Sequence, residues 1–190
     1  MKKILLLLLC ITMIVCSSCS NKDLEELKKE YVTINIEVRD YGTMTLRLYP
    51  DIAPKTVEHF LDHVNEGFYD GLIFHRIIEN FMIQGGDPSG TGYGLPDQKT
   101  VKGEFASNNF ENPLQHTRGV ISMARSQANN SATSQFFICH KDSHHLNGDY
   151  AAFGEVVEGF EVLDAIATVD TNSNNRPLSE VVIETIYVVE

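Results

Sequence analysis

The residues that could do chemistry are concentrated between Phe74 and Asp87, FHRIIENFMIQGGD. This stretch carries Arg76 in one β-branched run and Gln84 in a second, with a break at Glu79 and Asn80. It holds no nucleophile with a base beside it. Arg76 must therefore act through hydrogen bonding and charge rather than by forming a bond, and by composition alone an arginine on a strand is more often half of an ion pair.

Other constellations offer less. His59 and His63 lie one helical turn apart but lack a third metal ligand at helical spacing, so both are expected at partly exposed polar positions. His140, His144 and His145 form a histidine-rich loop, the sole basis for a metal-dependent hydrolase, and we expect no metal and no cofactor. Ser134 precedes a strand without the Gly-flanked elbow that exposes a serine nucleophile. The run GGDPSGTGYG, with glycine at 85, 86, 90, 92 and 94, lacks both the Lys-Ser pair and the following helix of a phosphate loop. It is expected to be a turn-rich loop of positive φ.

The elements that must position Arg76 follow from periodicity. Tyr31 to Asp40 and Thr43 to Tyr49 alternate around Tyr41 and Gly42, which predicts a hairpin. Pro54 opens a helix whose apolar face is Val57, Phe60, Leu61 and Val64 and whose stop is Gly67. Residues 95 to 118 are irregular. GVISMA and SQFFICH are strands, and in the latter alternation places Gln135 and Phe137 on one face and Phe136 and Ile138 on the other. YAAFGEVVEG is a further strand, Phe160, Leu163, Ile166 and Ala167 mark a second short helix, and VVIETIYVVE ends the chain as a strand. Many strands with two distant helices exclude a doubly wound sheet and favour an antiparallel barrel or sandwich.

A chain of 190 residues that is 43% hydrophobic suits one globular domain. Its formal charge of -11 speaks against a nucleic-acid partner, which would call for a basic patch. Residues 1 to 18, with Lys2 and Lys3 before an apolar run from Ile4 to Val15, form a secretory signal too short to span a bilayer comfortably. Ser17, Ser18 and Cys19 resemble the bacterial lipobox, although Cys16 stands where leucine is usual. That resemblance implies a lipidated Cys19 and membrane attachment through the lipid, the alternatives being cleavage as an ordinary secreted protein or retention as an uncleaved anchor. Residues 19–30, charged and polar, read as a tether with one helical turn and no core of its own that spaces the domain 31–190 from the bilayer. In a Gram-negative cell Ser20 would resemble an outer-membrane sorting signal. Cys139 then remains alone, a buried small hydrophobe rather than a nucleophile.

With FHRII, FMIQGGD, GVISMA, SQFFI and FGEV in order, the sequence resembles the cyclophilin family of peptidyl-prolyl cis-trans isomerases from Val32 to Glu190. The resemblance implies a mainly β fold, an eight-stranded antiparallel barrel capped by two α-helices. It implies a monomer that acts on proline-containing peptides and unfolded chains. It also implies that Arg76 is catalytic and that Phe81, Met82, Gln84, Ala124, Gln135, Phe137 and Leu146 line the proline pocket. Simple alternation separates Phe81 from Met82, so a bend is expected near them. Arg125, His145 and Tyr150 replace the asparagine, tryptophan and histidine of many eukaryotic members at the rim, which predicts weak cyclosporin binding. These three departures also motivate a second reading, a module that binds proline-containing segments without turnover.

Overall fold

The computed structural model describes residues 24–189, so the signal segment and Cys19 lie outside the described residues. Eight strands form one antiparallel sheet: β1 (Val32–Val38), β2 (Gly42–Leu48), β3 (Arg76–Ile78), β4 (Met82–Gly85), β5 (Val120–Met123), β6 (Phe136–Cys139), β7 (Ala152–Glu158) and β8 (Ile183–Val188). Their spatial order is β3-β4-β6-β5-β7-β2-β1-β8. The sheet is rolled into a half-barrel whose laddered ends are β3 and β8. The gap between those ends is spanned just before the two strands by the Ile73 to Val182 bridge and by Phe74 N donating to Val181 O at 2.9 Å.

The core fills the inside of the curved sheet. Ile34, Ile36, Leu46, Leu48, Phe136, Ile138 and Phe153 are all fully buried, as the alternating patterns demand of a sheet with one apolar face. Helix α1 (Pro54–Asn65) lays Val57, Phe60 and Val64 on this core. The Phe60 ring meets Tyr69, Phe136 and Phe153 at centroid distances of 5.1, 5.5 and 5.2 Å. Helix α2 (Phe160–Ala167) contributes Val162, Leu163 and Ile166. Ala53 cannot cap α1. The buried Glu104 carboxylate does so from across the fold, accepting from Lys55 N at 3.1 Å, Thr56 N at 2.9 Å and Thr56 Oγ1 at 2.7 Å.

Three local expectations change. His59 is buried rather than partly exposed, because Nε2 donates to Thr133 O at 2.6 Å, while His63 Nδ1 bonds His59 O at 2.8 Å. Each ring thus has one nitrogen on a carbonyl. Gly85 does not share the positive φ of Gly86, Gly90, Gly92 and Gly94. It lies in β4, where an added Cβ would meet the Phe74 ring at 3.1 Å. Finally, the described part of the charged N-terminal segment is more than a spacer. Residues 24–27 form the expected helical turn, but Leu24 and Leu27 pack against Tyr49, Ile52, Leu114, Val120 and Ala152, and Lys28 Nζ meets Glu155 Oε1 at 2.9 Å. No helix among the described residues is long and apolar enough to cross a membrane.

Candidate functional site

The opposite face of β3, β4, β6 and β5 carries the site, and strand register builds it. Arg76 pairs with Gln84, Gln84 with Phe137, and Phe137 with Ser122. Directly opposed residues of an antiparallel sheet share a face, so a guanidinium, an amide, an aromatic ring and a hydroxyl stand in one row about 5 Å apart. The next row is Met82 with Cys139. Met82, Phe137, Cys139 and Leu146 form a small buried apolar cluster of their own, flanked by Ile78, Phe81, Ala124 and Tyr150.

The bend expected beside Phe81 is the three-residue turn between β3 and β4. Ile78 pairs with Met82, and Asn80 takes a positive φ of 61° between them. Phe81 therefore sits in the turn rather than on a strand, which frees it from alternation. His140 holds the turn from outside: its backbone N donates to Phe81 O at 2.9 Å, and its Nδ1 accepts from Asn80 N at 2.9 Å.

A cavity of about 210 Å³ opens on this cluster, lined by Arg76, Phe81, Met82, Gln84, Ala124, Arg125, Phe137, Leu146 and Tyr150. Nine of the eleven residues expected at the site thus share one pocket. Gln135 is one step away: it lines a neighbouring cavity of about 270 Å³ together with Gln84, Ala124 and Arg125. His145 is exposed, with its ring 5.5 Å from that of Phe81, and it walls neither cavity.

Polar contacts orient Arg76, which has no ion pair among the described residues. Its Nη1 donates to Gln84 Oε1 at 3.4 Å, Gln84 Nε2 donates to Gln135 Oε1 at 3.0 Å, and Gln135 Nε2 donates to Gly92 O at 3.1 Å. Arg125 is clamped differently. Its guanidinium donates to Asp149 O at 2.8 Å and Ser126 O at 2.9 Å, and it stacks over Tyr150 at 4.7 Å and Phe105 at 5.1 Å.

Two supporting residues escaped the reading of the sequence. His116 is buried behind Phe137, its ring stacked at 5.9 Å, with Nδ1 3.0 Å from Asn147 Oδ1 and Nε2 3.0 Å from Ser122 Oγ. Asn147 Oδ1 also accepts the His116 backbone N–H, which fits a neutral ring protonated on Nδ1. Burial holds this imidazole below its ordinary pKa, the Asn147 bond working the other way. No local pattern marks His116, since its partners are six and 31 positions away. Asp87 had a signal, as it opens the turn sequence DPSG. Its carboxylate collects Ser89 N, Ser89 Oγ and Gly92 N. Burial pushes the Asp87 carboxyl up, but those bonds outweigh it and leave the pKa below the usual range.

Among the described residues no group of three or more His, Cys, Asp or Glu side chains is placed to hold a metal. Cys139 is buried, and desolvation pushes its thiol up to about 12.

The sequence model of the family described as "Cyclophilin type peptidyl-prolyl cis-trans isomerase/CLD" matches residues 33–188. The chain belongs to the cyclophilin family. It is 42% identical over 163 residues to peptidyl-prolyl cis-trans isomerase B of Escherichia coli, covering 80% of this chain and 96% of that protein. It is 43% identical over 148 residues to peptidyl-prolyl cis-trans isomerase-like 2 of Gibberella zeae, covering 77% of this chain but only 25% of that larger protein. Among solved structures, a Cryptosporidium parvum cyclophilin-type peptidyl-prolyl cis-trans isomerase superposes with a TM-score of 0.77 at 31% identity, covering 85% of this chain and 99% of its own. The same parvum cyclophilin, crystallised in the presence of the dipeptide Ala-Pro, gives a TM-score of 0.76 at 33% identity.

Proposed function

We propose that this cyclophilin is a peptidyl-prolyl cis-trans isomerase acting on exported or unfolded polypeptides, with Arg76 as its catalytic residue. The observation that carries the reading is a guanidinium, without a carboxylate partner among the described residues, on the wall of an apolar pocket formed by Phe81, Met82, Phe137 and Leu146.

Rotation about an X-Pro bond must break amide resonance, a barrier of about 18–20 kcal/mol, and unassisted it takes tens to hundreds of seconds. Acceleration by about 10⁵ needs on the order of 7 kcal/mol of stabilisation given to the twisted state and not to the planar one. At the twist the prolyl nitrogen becomes pyramidal and regains a lone pair. A donor already in place, such as Arg76 held by Gln84, interacts with that lone pair more strongly than with the conjugated nitrogen. The apolar walls seat the pyrrolidine ring and exclude water, which raises the worth of the same hydrogen bond. Gln84 and Gln135 each offer a donor and an acceptor to peptide groups. No covalent bond to the protein forms.

A proline-limited peptide assay tests this. The chain accelerates isomerisation, and Arg76→Ala lowers kcat/KM by about 10²–10³, the usual cost of one preorganised donor. Equal acceleration by Arg76→Ala would refute the role of Arg76. Peptide affinity without exchange between cis and trans NMR signals would support a binding module instead.

The sequence pattern at residues 1–19 supports a second part of the proposal: export, lipidation of Cys19, and tethering to a bacterial membrane, the outer membrane in a Gram-negative cell. Incorporation of labelled fatty acid that is lost in Cys19→Ser is the expected result.

A further inference from the structure

Beside the apolar pocket, and sharing Arg76 and Gln84 with it, is a cavity of about 470 Å³ whose chemistry is different. Its remaining walls come from residues 91–93, from Asn172, Asn174 and Arg176 in the loop before β8, and from His75. No carboxylate lines it, in a chain whose formal charge is -11. Arg39 pairs with Glu184 and Arg118 with Asp164, but among the described residues neither Arg76 nor Arg176 has a carboxylate within ion-pair distance. Arg125, across the proline pocket, has none either.

The walls are rich in donors and fixed in place. The Arg176 guanidinium donates to Gly90 O, and its backbone N donates to Asn172 Oδ1 at 3.1 Å. Asn175 O accepts from Ile77 N at 2.8 Å, which ties this loop to β3. The oxygen of the Asn172 amide is thus already used, while four of the five N–H donors of Arg176 have no partner among the described residues. His75 is buried, and neither ring nitrogen has a hydrogen-bond partner among the described residues. The nearby carboxylate of Asp87 is buried and occupied by Ser89 and Gly92.

We propose that this cavity is a subsite for a carboxylate side chain, Glu or Asp, carried by the polypeptide substrate close to its proline, and that Arg176 determines the preference. The inference rests on the isomerase reading and adds a substrate class to it. A guanidinium donates two parallel hydrogen bonds to a carboxylate, and it favours the charged group most where water is partly excluded. An extended chain advances about 3.3 Å per residue, so the acidic residue falls within a few positions of the proline seated against the shared Arg76.

The test uses Ala-Pro peptides with Glu, Gln or Lys at each of three positions before and after the pair, assayed at low and high salt. At one position Glu exceeds Gln in kcat/KM by about three- to tenfold, Lys falls below Gln, and salt shrinks the difference. Arg176→Gln brings the Glu to Gln ratio to about one, and Arg176→Lys restores part of it. Asn174→Asp, an exposed change on the same wall, lowers the ratio without removing an anchor of the loop. Equal rates for Glu and Gln at every position, or a ratio that survives Arg176→Gln, overturn the inference while leaving the isomerase reading intact. No acceleration of any peptide overturns both.

Discussion

Asp87→Asn changes one oxygen for an NH₂ at a position that is 1% exposed, and its consequences should travel to Arg76. The carboxylate accepts from Ser89 N at 2.9 Å, from Ser89 Oγ at 2.9 and 2.8 Å, and from Gly92 N at 2.5 Å. An amide keeps one acceptor and turns a donor toward Ser89 or Gly92, so at least one bond becomes a donor facing a donor. Hydrogen bonds to charged groups contribute about 1.5–3 kcal/mol each, and we expect a loss of about 2 kcal/mol in urea unfolding at pH 7. Gly92 is also where the Gln135, Gln84 and Arg76 chain is tied down, through its carbonyl. Loosening that end should lower kcat/KM by about tenfold, or about 1.4 kcal/mol of transition-state stabilisation. The pH dependence has a definite sign. Because the folded-state pKa of Asp87 is depressed, its stabilisation is complete above the unfolded value of about 4 and is lost as pH falls through the folded value. The gap between wild type and Asp87→Asn therefore stays constant from pH 5 to 8, by this reasoning, and closes below about pH 4. A variant within about 0.5 kcal/mol of wild type at pH 7 would refute the role of the carboxylate. A stability loss with no change in rate would refute the relay to Arg76.

Two further outcomes follow from burial. His59, His75 and His116 are all held below the ordinary imidazole pKa by desolvation, so the unfolded chain takes up protons near pH 6.5 that the folded chain refuses. Stability should therefore fall as pH drops below about 6.5, by at most about 1.4 kcal/mol per unit for each histidine, and His116→Gln should flatten the slope of urea midpoint against pH. Cys139, with its thiol pushed up to about 12, should resist alkylation in the native protein at pH 8 and react once unfolded, as peptide mapping by mass spectrometry would show.

Much of this fold was legible before any coordinates because its signals are local. Pro54 and Gly67 bracket α1 within two residues of its observed limits, the expected hairpin joins β1 to β2 although its turn is Arg39 to Tyr41 with Gly42 already paired to Val38, and alternation in SQFFICH separates Phe137 from Phe136 and Ile138. The pocket wall was legible for a different reason. Resemblance of ordered motifs, rather than periodicity, brought Arg76 together with Phe81, Met82, Phe137 and Leu146, residues that the structure does place around one cavity.

What the sequence determined by itself is the set of strands and helices and which face of each is apolar, since these depend on residues two to four positions apart. What only the tertiary structure decided is which polar groups meet. By spacing His59 is a partly exposed polar position, and only the fold buries it against Thr133 O, just as His116 gains meaning only when the sheet sets Ser122 beside Phe137. Arg176 lies 100 positions from Arg76, yet the two line one cavity because the loop before β8 is hydrogen-bonded to β3. A buried or half-buried polar side chain must find its partner wherever the fold provides one, and that partner leaves no trace in the local spacing of either residue.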